Sequence, residues 1–407
     1  MVRHKLNKVK SNKNNQCLLP EKVIQDILLR LPVKFLTQLK CVSKKWCSLI
    51  RNPNFIREHF NHKDNQACLL IHRHDPELRR HISTLFLDED LLMCEDPDHL
   101  QLPNCIEMLV GPLNGVFGIL NVDLERVALW NPAIREFSRL PIANANLPSY
   151  MKIVYCDLSL GLDPLTNEFK VVSIKKLGDK ETFQSYHPLV IAVYSSNNDS
   201  WRCFEDVVLL NSSMNVCGSK SNNYSKGFCY WMTIDSKKKC SILAFDFGIE
   251  ALKKIEIPNC IQPELVELAL YDDSVAMISY KHDVEKSMDI WVMKEEGNWT
   301  RDWTIGPIIN EHLFCGFWKK NPIFINYMSL QMIVDDGGDC EIPNLNIQDH
   351  QFGFSVCTYK ESLASVKRGN QCDGWNDHAI IFEEFFQELP RIEEEDQDLS
   401  FLPVLVN

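Results

Sequence analysis

Sixteen cysteines are the side chains of this sequence that could most readily bind a metal or form a covalent intermediate. They are scattered along the chain, and no two form a Cys-x-x-Cys pair, the commonest spacing in zinc sites. Cys41 and Cys47 fall in an apolar helical segment, where we expect small core residues and not activated thiolates. The sequence therefore predicts reduced thiols, no metal and no cysteine activated as a nucleophile.

Histidines and serines offer little more for catalysis. His72, His74 and His81 lie in a basic stretch without a cysteine or carboxylate at ligand spacing, which disfavours a metal site. No Gly-x-Ser-x-Gly turn of a serine hydrolase occurs, and Gly218-Ser-Lys-Ser lacks the upstream glycine of a phosphate-binding loop. We therefore predict no catalytic residue and no cofactor.

Aromatic side chains could instead stack on a sugar or a nucleic-acid base. The tryptophans that raise this possibility are Trp130, Trp201, Trp231, Trp291, Trp299 and Trp303. They recur at matching points of a repeated pattern, which favours a role in packing over a stacking site.

Charge and hydropathy exclude further classes of function. The formal net charge is −12 over 407 residues, whereas binding to a phosphate backbone needs a basic face. No stretch approaches the roughly 20 apolar residues of a membrane span. The start Met1–Asn15 is basic and polar and lacks the apolar segment of a secretory signal. We expect a cytoplasmic protein, also present in the nucleus, that binds neither nucleic acid nor membrane.

The pattern along the chain predicts four segments. Residues 1–16 form a basic tail and residues 371–407 an acidic one, and we expect both to be disordered. Residues 17–62 are predicted to be a small helical module, and residues 63–370 an all-β domain. The predicted fold class is therefore multidomain α+β, with an all-α module followed by an all-β domain.

Apolar residues at spacings of three and four define the helical module. Leu19-Pro20 opens it, since proline suits a first helical turn, and Leu31-Pro32 ends the first helix. The apolar positions of the first helix are Val23, Ile24, Ile27, Leu28 and Leu31. Some 45 residues bury only a small core, and this module has more large apolar side chains than it can hide. Since burying each contributes roughly 1.5–3 kcal/mol, we expect a partner to cover them.

The all-β segment contains a loosely repeated unit of strand, polar turn and strand. Its copies are Val127–Pro141, Ile191–Glu205, Leu243–Pro258 and Asp289–Trp303, with a weaker one at Met332–Pro343. The later copies stand about 45–50 residues apart, near the length of one four-stranded propeller blade. A β-sandwich with chance similarity among hairpins is the alternative, but the repeat keeps its internal order as well as its spacing, which favours a propeller.

The helical module resembles an F-box in the order of its residues. Leu-Pro is followed by Ile-Leu, then Leu-Pro-Val-Lys, then Lys-Cys-Val-Ser-Lys-x-Trp and Leu-Ile, within Leu19–Phe60. An F-box binds a Skp-type adaptor, which a cullin scaffold holds together with a ring-finger subunit and a ubiquitin-conjugating enzyme. The resemblance implies that the following residues serve the adaptor interface or the core behind it: Leu19, Pro20, Ile24, Ile27, Leu28, Leu31, Pro32, Leu36, Val42 and Trp46.

Two groups of these residues have a more specific expectation. Leu19, Pro20 and Pro32 are expected to contact the adaptor directly, and Ile27 and Leu49 to pack in the core. Phe35 stands where many relatives carry a small polar residue.

The β-domain also resembles a known family. Phrases that match the plant F-box-associated β-domain, a kelch-like propeller, are Val110–Gly115, Leu129–Pro141, Gly161–Val172, Val193–Trp201, Lys226–Trp231 and Asp289–Met293. A weaker echo occurs at Tyr359–Ser365. The acidic, Phe-rich segment FEEFFQELPRIEEED extends past the usual ending of the family, which leaves the C-terminal blade unassigned.

Within that family the chain is most similar to the S-locus F-box proteins of self-incompatible plants. Those proteins act in pollen and mark non-self stylar S-ribonucleases for ubiquitination. The resemblance therefore implies the substrate-recognition subunit of an SCF-type ubiquitin ligase, a non-catalytic role, with a protein target that is an S-ribonuclease or another plant protein. The alternatives are a non-ligase propeller scaffold and, more remotely, a propeller enzyme such as a glycosidase or lyase.

Loops at one face of a propeller are the usual binding places. The candidate target-binding loops are Asp75–Arg80, Lys175–His187, Asn211–Tyr224 and Asp335–Asp339. Because the body is acidic, electrostatic steering would favour a basic target such as a secreted ribonuclease.

Overall fold

The structure is a computed structural model that divides into two compact units, Met1–Asn65 and Gln66–Asn407. It describes residues 19–75, 80–87, 92–93, 102–103, 106–121, 123–143, 150–180, 185–204, 215–217, 223–258, 261, 266–281, 287–306, 312–318, 320–326, 331–334, 340–342 and 355–367. The predicted tails, 1–16 and 371–407, lie outside these residues. No helix in the described ranges has the length and apolar character needed to cross a bilayer.

Four short helices form unit 1. They are α1 (Glu21–Leu28), α2 (Val33–Leu39), α3 (Lys44–Ile50) and α4 (Pro53–Phe60). Pro20 and Pro32 directly precede α1 and α2, in the extended conformation that the residue before a helix adopts. At the start of α3 the Ser43 hydroxyl accepts a hydrogen bond of 3.1 Å from the amide of Trp46. Each helix therefore starts at a residue that the sequence marks.

Side chains from all four helices meet in the core of unit 1. Leu28, Val33, Leu36, Ile50 and Phe55 are each at most 2% exposed. The ring of His59 is also buried, and its Nε2 lies 2.8 Å from the carbonyl oxygen of Leu31 at the end of the first helix. This small set of contacts fixes which helix faces turn outward.

The described part of unit 2 contains six antiparallel sheets. Sheet 1 consists of β1 (Cys68–Asp75), β2 (Arg80–Leu87), β3 (Leu92–Met93), β4 (Leu102–Pro103) and the C-terminal β26 (Ser355–Tyr359). Sheet 2 consists of β5 (Ile106–Leu113), β6 (Val116–Asn121), β7 (Val127–Asn131) and β8 (Glu136–Arg139). Sheet 3 consists of β9 (Met151–Leu162), β10 (Phe169–Asp179), β11 (Ser185–Ser195) and β12 (Ser200–Phe204).

As in sheets 2 and 3, neighbouring strands of the remaining sheets follow one another in chain order, with β14 as an additional partner of β15. Sheet 4 consists of β13 (Asn215–Cys217), β14 (Tyr224–Ser225), β15 (Phe228–Ile234), β16 (Cys240–Asp246) and β17 (Ala251–Glu256). Sheet 5 consists of β18 (Val266–Tyr271), β19 (Ser274–Tyr280), β20 (Met288–Glu295) and β21 (Asn298–Ile305). Sheet 6 consists of β22 (His312–Trp318), β23 (Asn321–Asn326), β24 (Gln331–Val334) and β25 (Cys340–Ile342).

The sheets follow one another around a closed ring. Strand β26 of sheet 1 contacts β5 of sheet 2, and β5 contacts β9 of sheet 3. In the same way β9 contacts β15 of sheet 4, β15 contacts β18 of sheet 5, and β18 contacts β22 of sheet 6. The series closes because β22 contacts β26. Clusters of buried apolar side chains fill the spaces between successive sheets from sheet 1 to sheet 6. This arrangement is a β-propeller, as the repeat predicted, and the sandwich alternative is wrong.

Each predicted repeat copy coincides with the last two strands of one sheet. Val127–Pro141 contains β7 and β8, and Asp289–Trp303 contains most of β20 and β21. Two of the repeated tryptophans pack between sheets as predicted: Trp130, in the β7–β8 hairpin, is 5% exposed between sheets 1 and 2, and Trp231, on β15 outside the repeat copies, is 1% exposed between sheets 3 and 4. The repeat did not reveal sheet 1, because its strands come from opposite ends of unit 2.

Sheet 1 closes the ring by pairing the first strand of unit 2 with the last one described. β1 pairs with β26 from Cys68 opposite Tyr359 to His72 opposite Ser355. Tyr359 is 1% exposed, and its ring lies 5.7 Å from that of Phe117 in sheet 2. The C-terminal blade that the sequence left unassigned is thus completed by β26.

Residues 360–367 continue from β26 across sheet 2, and we call 355–367 the clasp. The Asn131 amide donates hydrogen bonds to the carbonyl oxygens of Ser362 (3.0 Å) and Ala364 (2.7 Å). A carboxylate oxygen of Glu136 accepts from the Ser365 hydroxyl (2.6 Å) and the Val366 amide (3.1 Å). A Cβ at Gly115 would lie 2.5 Å from the Ser362 side chain, so only glycine lets the clasp approach this turn. The clasp is therefore held against sheet 2 by the side chains of Asn131 and Glu136 and by the close approach that Gly115 permits.

A buried cation connects sheets 3 and 4. Lys170 on β10 lies 2.7 Å from Asp163 and 2.7 Å from Glu250, and its ammonium donates to the Phe247 carbonyl oxygen at 3.1 Å. The hydrogen bond from Lys170 holds the pKa of Asp163 at about 2, below its ordinary 3.8. Burial alone would lower the pKa of Lys170, but its hydrogen bonds to the two carboxylates outweigh that effect and raise it. The charge of Lys170 is therefore retained and fully paired.

Replacing Tyr359 with alanine is expected to destabilise unit 2 by about 3–5 kcal/mol, because it empties a fully buried aromatic position at the ring closure. Urea denaturation followed by tryptophan fluorescence measures the change. Tyr150→Ala is the matched control, since Tyr150 is 58% exposed and its loss should cost less than about 0.5 kcal/mol. Equal effects of the two variants would show that the clasp does not stabilise the ring.

Replacing Lys170 with methionine is expected to cost about 3–5 kcal/mol at neutral pH, because two carboxylates would lose their common buried partner. The pKa of Asp163 is lowered by folding, so its contribution to stability is complete above its ordinary pKa of 3.8 and is lost as the pH falls towards 2.

Denaturation of the wild type between these two pH values should show that loss, and Lys170→Met should lack it. Lys237→Met, a change at an exposed lysine, is the control. An unchanged acid profile in Lys170→Met would mean that Lys170 does not set the pKa of Asp163.

Candidate functional site

The outer face of unit 1 carries a row of exposed apolar side chains. Leu19, Val23 and Ile27 are 54%, 40% and 48% exposed and stand at intervals of four residues, Val23 and Ile27 on α1 and Leu19 two residues before it. Residues at this spacing lie on the same face of a helix, one turn apart. On α2 Phe35 is 53% exposed, and after it Val42 is 65% exposed. We call these five residues the apolar face.

Polar contacts at the other side of α1 fix the orientation of the apolar face. The Lys45 ammonium lies 2.5 Å from the Glu21 carboxylate, and the Gln25 amide donates to Glu58 at 2.8 Å. The hydrogen bond and charge of Lys45 lower the pKa of Glu21. These contacts connect α1 to α3 and α4, so the helix has one side bound and one side open.

The structure sorts the predicted adaptor-binding residues into three groups. Leu19, Pro20, Pro32 and Val42 are exposed, and Ile24, Leu31 and Trp46 are half-buried. Leu28 and Leu36 are 2% and 0% exposed, which places them in the core behind the surface, the second of the two roles that the resemblance implied for these residues. They hold the helices whose other faces are exposed.

Two expectations about which side chains of unit 1 are buried are wrong. Ile27 was expected in the core, but the side of α1 that packs inward carries Leu28, which leaves Ile27 open to solvent. Cys41 was expected to be buried but is exposed, while Cys47 is half-buried. Sequence reasoning did not select Val23 and Phe35 as surface residues. The interval of four from Leu19 to Val23 and Ile27 was the signal that could have found the first of them.

The candidate target-binding loops of unit 2 fall mostly outside the described residues. The structure describes none of 76–79, 181–184, 205–214, 218–222 and 335–339. The candidate range Lys175–His187 is largely not a loop, since β10 continues to Asp179 and β11 begins at Ser185. In the remaining candidate ranges, Asp75, Arg80, Asn215–Cys217 and Tyr224 belong to strands.

A cavity of about 160 Å³ lies between sheets 4 and 5. Phe228, Tyr230, Ile255, Val275 and Met293 contribute its apolar lining, and lysines stand at its rim. Small-molecule sites usually measure about 300–1,000 Å³, so this cavity has room for a side chain but not for a cofactor. Within the described ranges, no group of three or more His, Cys, Asp or Glu side chains could hold a metal ion.

Comparisons with known proteins match both units. The model of the F-box domain matches residues 17–58, and the model of the F-box associated beta propeller domain matches residues 88–317. F-box protein At4g22390 of Arabidopsis thaliana is 26% identical over 302 residues, which cover 70% of this chain and 72% of that protein. F-box protein CPR1 of the same plant is 25% identical over 311 residues, covering 70% and 73%. F-box/kelch-repeat protein At3g23880, also from Arabidopsis thaliana, is 25% identical over 295 residues, covering 69% and 76%.

Proposed function

The chain belongs to the family of plant F-box proteins with an F-box associated β-propeller domain, and on that premise we propose that it is the substrate-recognition subunit of an SCF-type ubiquitin ligase. The F-box would bind a Skp-type adaptor, and through it a cullin and a ring-finger subunit. The propeller would hold the protein that is to be ubiquitinated.

The apolar face is the observation that carries this proposal. Five large apolar side chains are exposed on a unit of four short helices, although each would gain roughly 1.5–3 kcal/mol from full burial. Several large apolar side chains exposed on so small a unit are typical of a surface that another protein covers. Because the residues behind it are fully buried, the face is presented as a rigid surface.

The proposed role requires no chemistry from this chain. Fixing the target near the ubiquitin-conjugating enzyme raises the effective concentration of its lysines, and proximity alone accelerates the transfer. A location in the cytoplasm, and also in the nucleus, accords with this role and is part of the proposal.

Replacing Ile27 and Phe35 together with glutamine is expected to abolish binding to a plant Skp-type adaptor. Central apolar anchors of an interface contribute about 2 kcal/mol or more each, and glutamine keeps the helices intact. Co-expression with the adaptor followed by size-exclusion chromatography gives the measurement, with co-elution expected for the wild type and not for the variant.

Leu165→Gln with Ile249→Gln is the matched control, because these residues of unit 2 are 89% and 74% exposed. The control is expected to co-elute with the adaptor. If the folded wild type binds no Skp-type adaptor, the chain is not a ligase subunit, and a propeller scaffold of another kind takes the place of this proposal.

A narrower form of the proposal names a stylar S-ribonuclease as the target. It is supported by the likeness of the β-domain phrases to S-locus F-box proteins and by the net charge of −12, which would attract a basic protein. A reconstituted ligase containing this chain should then ubiquitinate a non-self S-ribonuclease, and the transcript should be confined to pollen. Expression throughout the plant, with no ubiquitination of any S-ribonuclease, would leave the ligase function intact and exclude this target.

A further inference from the structure

One edge of the ring of sheets is completely described at sheets 3, 4 and 5. At this edge short turns join β9 to β10, β11 to β12, β14 to β15, β16 to β17, β18 to β19 and β20 to β21. An ion pair between Lys170 and Glu250 connects the edge of sheet 3 with that of sheet 4. A hydrogen bond from the Ser225 hydroxyl to the Asp273 carbonyl oxygen connects sheet 4 with sheet 5. We call the six turns, 163–168, 196–199, 226–227, 247–250, 272–273 and 296–297, the turn edge.

The cavity between sheets 4 and 5 lies at the turn edge, because its lining includes Lys226 and Glu296 from two of the turns. Phe228, Val275 and Met293, which form part of its apolar wall, each stand within three residues of a turn. The charged residues at its rim, Lys226, Lys294, Glu295 and Glu296, are exposed. The cavity is therefore an apolar space that a side chain of another protein can enter from the surface.

One polar group of the cavity lacks a hydrogen bond. Tyr230 lines the cavity and is 8% exposed, and its hydroxyl forms no hydrogen bond with any residue that the structure describes. Burial raises the pKa of this hydroxyl to about 12, and the negative charge of Glu296 adds to the shift. The hydroxyl therefore keeps its proton at neutral pH and can donate it to an acceptor. Since buried polar groups nearly always have a partner, a bound segment with a carbonyl oxygen here would supply one.

The turn edge is acidic at these three sheets. Within the turns and the three residues on either side of each, the carboxylates are Asp163, Glu168, Asp199, Asp246, Glu250, Asp272, Asp273, Glu295 and Glu296, and the cations are Lys170, Arg202, Lys226, Lys253 and Lys294. Nine carboxylates against five cations give a net charge of −4. A partner that lies along this surface is therefore favoured if it is basic.

Ion pairs involve most of these cations, so they neutralise carboxylates of the turn edge and not those of a partner. Lys253 lies 2.7 Å from Glu296, and Lys294 lies 2.6 Å from Asp302. Lys226 has no ion pair among the described residues. Asp273 and Glu295 are likewise exposed and without an ion pair in the described ranges, and both stand at or next to the cavity lining. The list of these side chains places two available carboxylates beside the cavity.

Apolar side chains are also exposed at the turn edge. Leu165 and Ile249 are 89% and 74% exposed, on neighbouring turns of sheets 3 and 4. The two turns touch, since a Cβ at Gly248 would lie 3.0 Å from the ring of Pro164. Ile249 stands four residues before Lys253 of the cavity lining, so their Cα atoms are at most about 14 Å apart. An extended segment that enters the cavity can therefore also reach this apolar pair.

We propose that the turn edge of sheets 3, 4 and 5 binds the target protein, and that the cavity receives an apolar side chain from a basic segment of that target. This inference deepens the proposed receptor function and rests on it. An apolar anchor in a pocket contributes a large share of the affinity of an interface. Lysines or arginines that flank the anchor would meet the carboxylates around it.

The Phe-rich C-terminal segment of this chain is the other apolar segment that could occupy the cavity. Phe382–Pro390 has the sequence FEEFFQELP, which carries three glutamates and no cation. An acidic turn edge repels such a segment. A basic segment of another protein therefore matches this surface better.

A fluorescent peptide of sequence Lys-Arg-Leu-Arg-Lys tests the proposal with the full-length chain. Fluorescence anisotropy should show binding at low salt that weakens as salt is added. A peptide with serine in place of the leucine should bind at least about fivefold more weakly, because serine cannot fill the apolar cavity. Absence of binding, equal binding of the two peptides, or tighter binding of a peptide with the sequence of Phe382–Pro390 would each overturn the proposal.

Ser274→Trp places a large ring at the cavity and should weaken binding of the leucine peptide at least about tenfold. Asn321→Trp is the matched control, because Asn321 begins β23 as Ser274 begins β19, is also half-buried and does not line the cavity. It should leave the affinity within about twofold. Urea denaturation of both variants establishes that they are folded, and equal weakening in the two would contradict a role of the cavity.

Glu295→Lys tests the charge of the turn edge at an exposed position that folding does not require. It should weaken binding of the leucine peptide at least about threefold, because it reverses a charge at the rim of the cavity. Glu125→Lys makes the same change in net charge at an exposed residue between β6 and β7, and it should change the affinity by less than about 1.5-fold. Indistinguishable affinities of these two variants would show that the rim does not recognise a basic segment.

Co-elution with the Skp-type adaptor, measured on the same samples, separates this inference from the proposed function. It should be unchanged in all four variants. Adaptor binding without peptide binding would overturn the role of the turn edge and leave the ligase function standing. Peptide binding without adaptor binding would overturn the ligase function and leave the turn edge as a protein-binding surface, although its occupant would then not be a ubiquitination target.

Discussion

Antiparallel pairing between β1 and β26 is the interaction on which unit 2 depends. A four-stranded sheet has two open edges, and it buries little apolar surface unless another sheet covers it. The clusters between successive sheets supply that cover, so each sheet depends on its neighbours. The pairing of Cys68–His72 with Ser355–Tyr359 makes this series circular and leaves no terminal sheet exposed. Because the two strands lie at opposite ends of unit 2, their pairing closes a long loop, and the contacts between sheets must offset the entropy that this closure costs.

Charge has two different roles in unit 2. Lys170 lies in the interior, where an unpaired cation would be costly, and two carboxylates with one carbonyl oxygen surround it. The ammonium groups of Lys180 and Lys237 are at the surface, where water solvates them and no carboxylate is required. The first arrangement fixes sheets 3 and 4 together, whereas exposed charges of the second kind contribute little to stability.

The helical unit divides its apolar residues between a buried core and an exposed surface. Each of its four short helices packs about one face inward, and those faces supply the core of five buried apolar side chains. Within the described residues of the unit, the remaining exposed apolar side chains of α1 and α2 are not covered. The small size of the unit therefore leaves apolar surface that its own core does not use.

Local patterns in the sequence determined the elements of this protein. Apolar spacing and prolines marked the helices, the order of residues around Leu19–Phe60 indicated the F-box, and five hairpins were visible as repeats because strand, turn and strand are encoded within about fifteen residues. Trp130 and Trp231 were correctly assigned to packing, since both are buried between neighbouring sheets. These features depend on residues that are close together along the chain, and their order can be read directly from the sequence.

The tertiary structure alone decided which residues meet across the chain. Leu28 and Ile27 are adjacent and equally apolar, and only the position of α1 against the other helices makes one core and the other surface. Sheet 1 was invisible because its strands are far apart in sequence and β26 carries no repeat partner beside it. Net charge likewise did not reveal the buried contacts of Lys170 with Asp163 and Glu250, since a sum over the whole chain does not record which charges meet. Contacts and fields act through space, so their sign and partners are fixed only when the chain has folded.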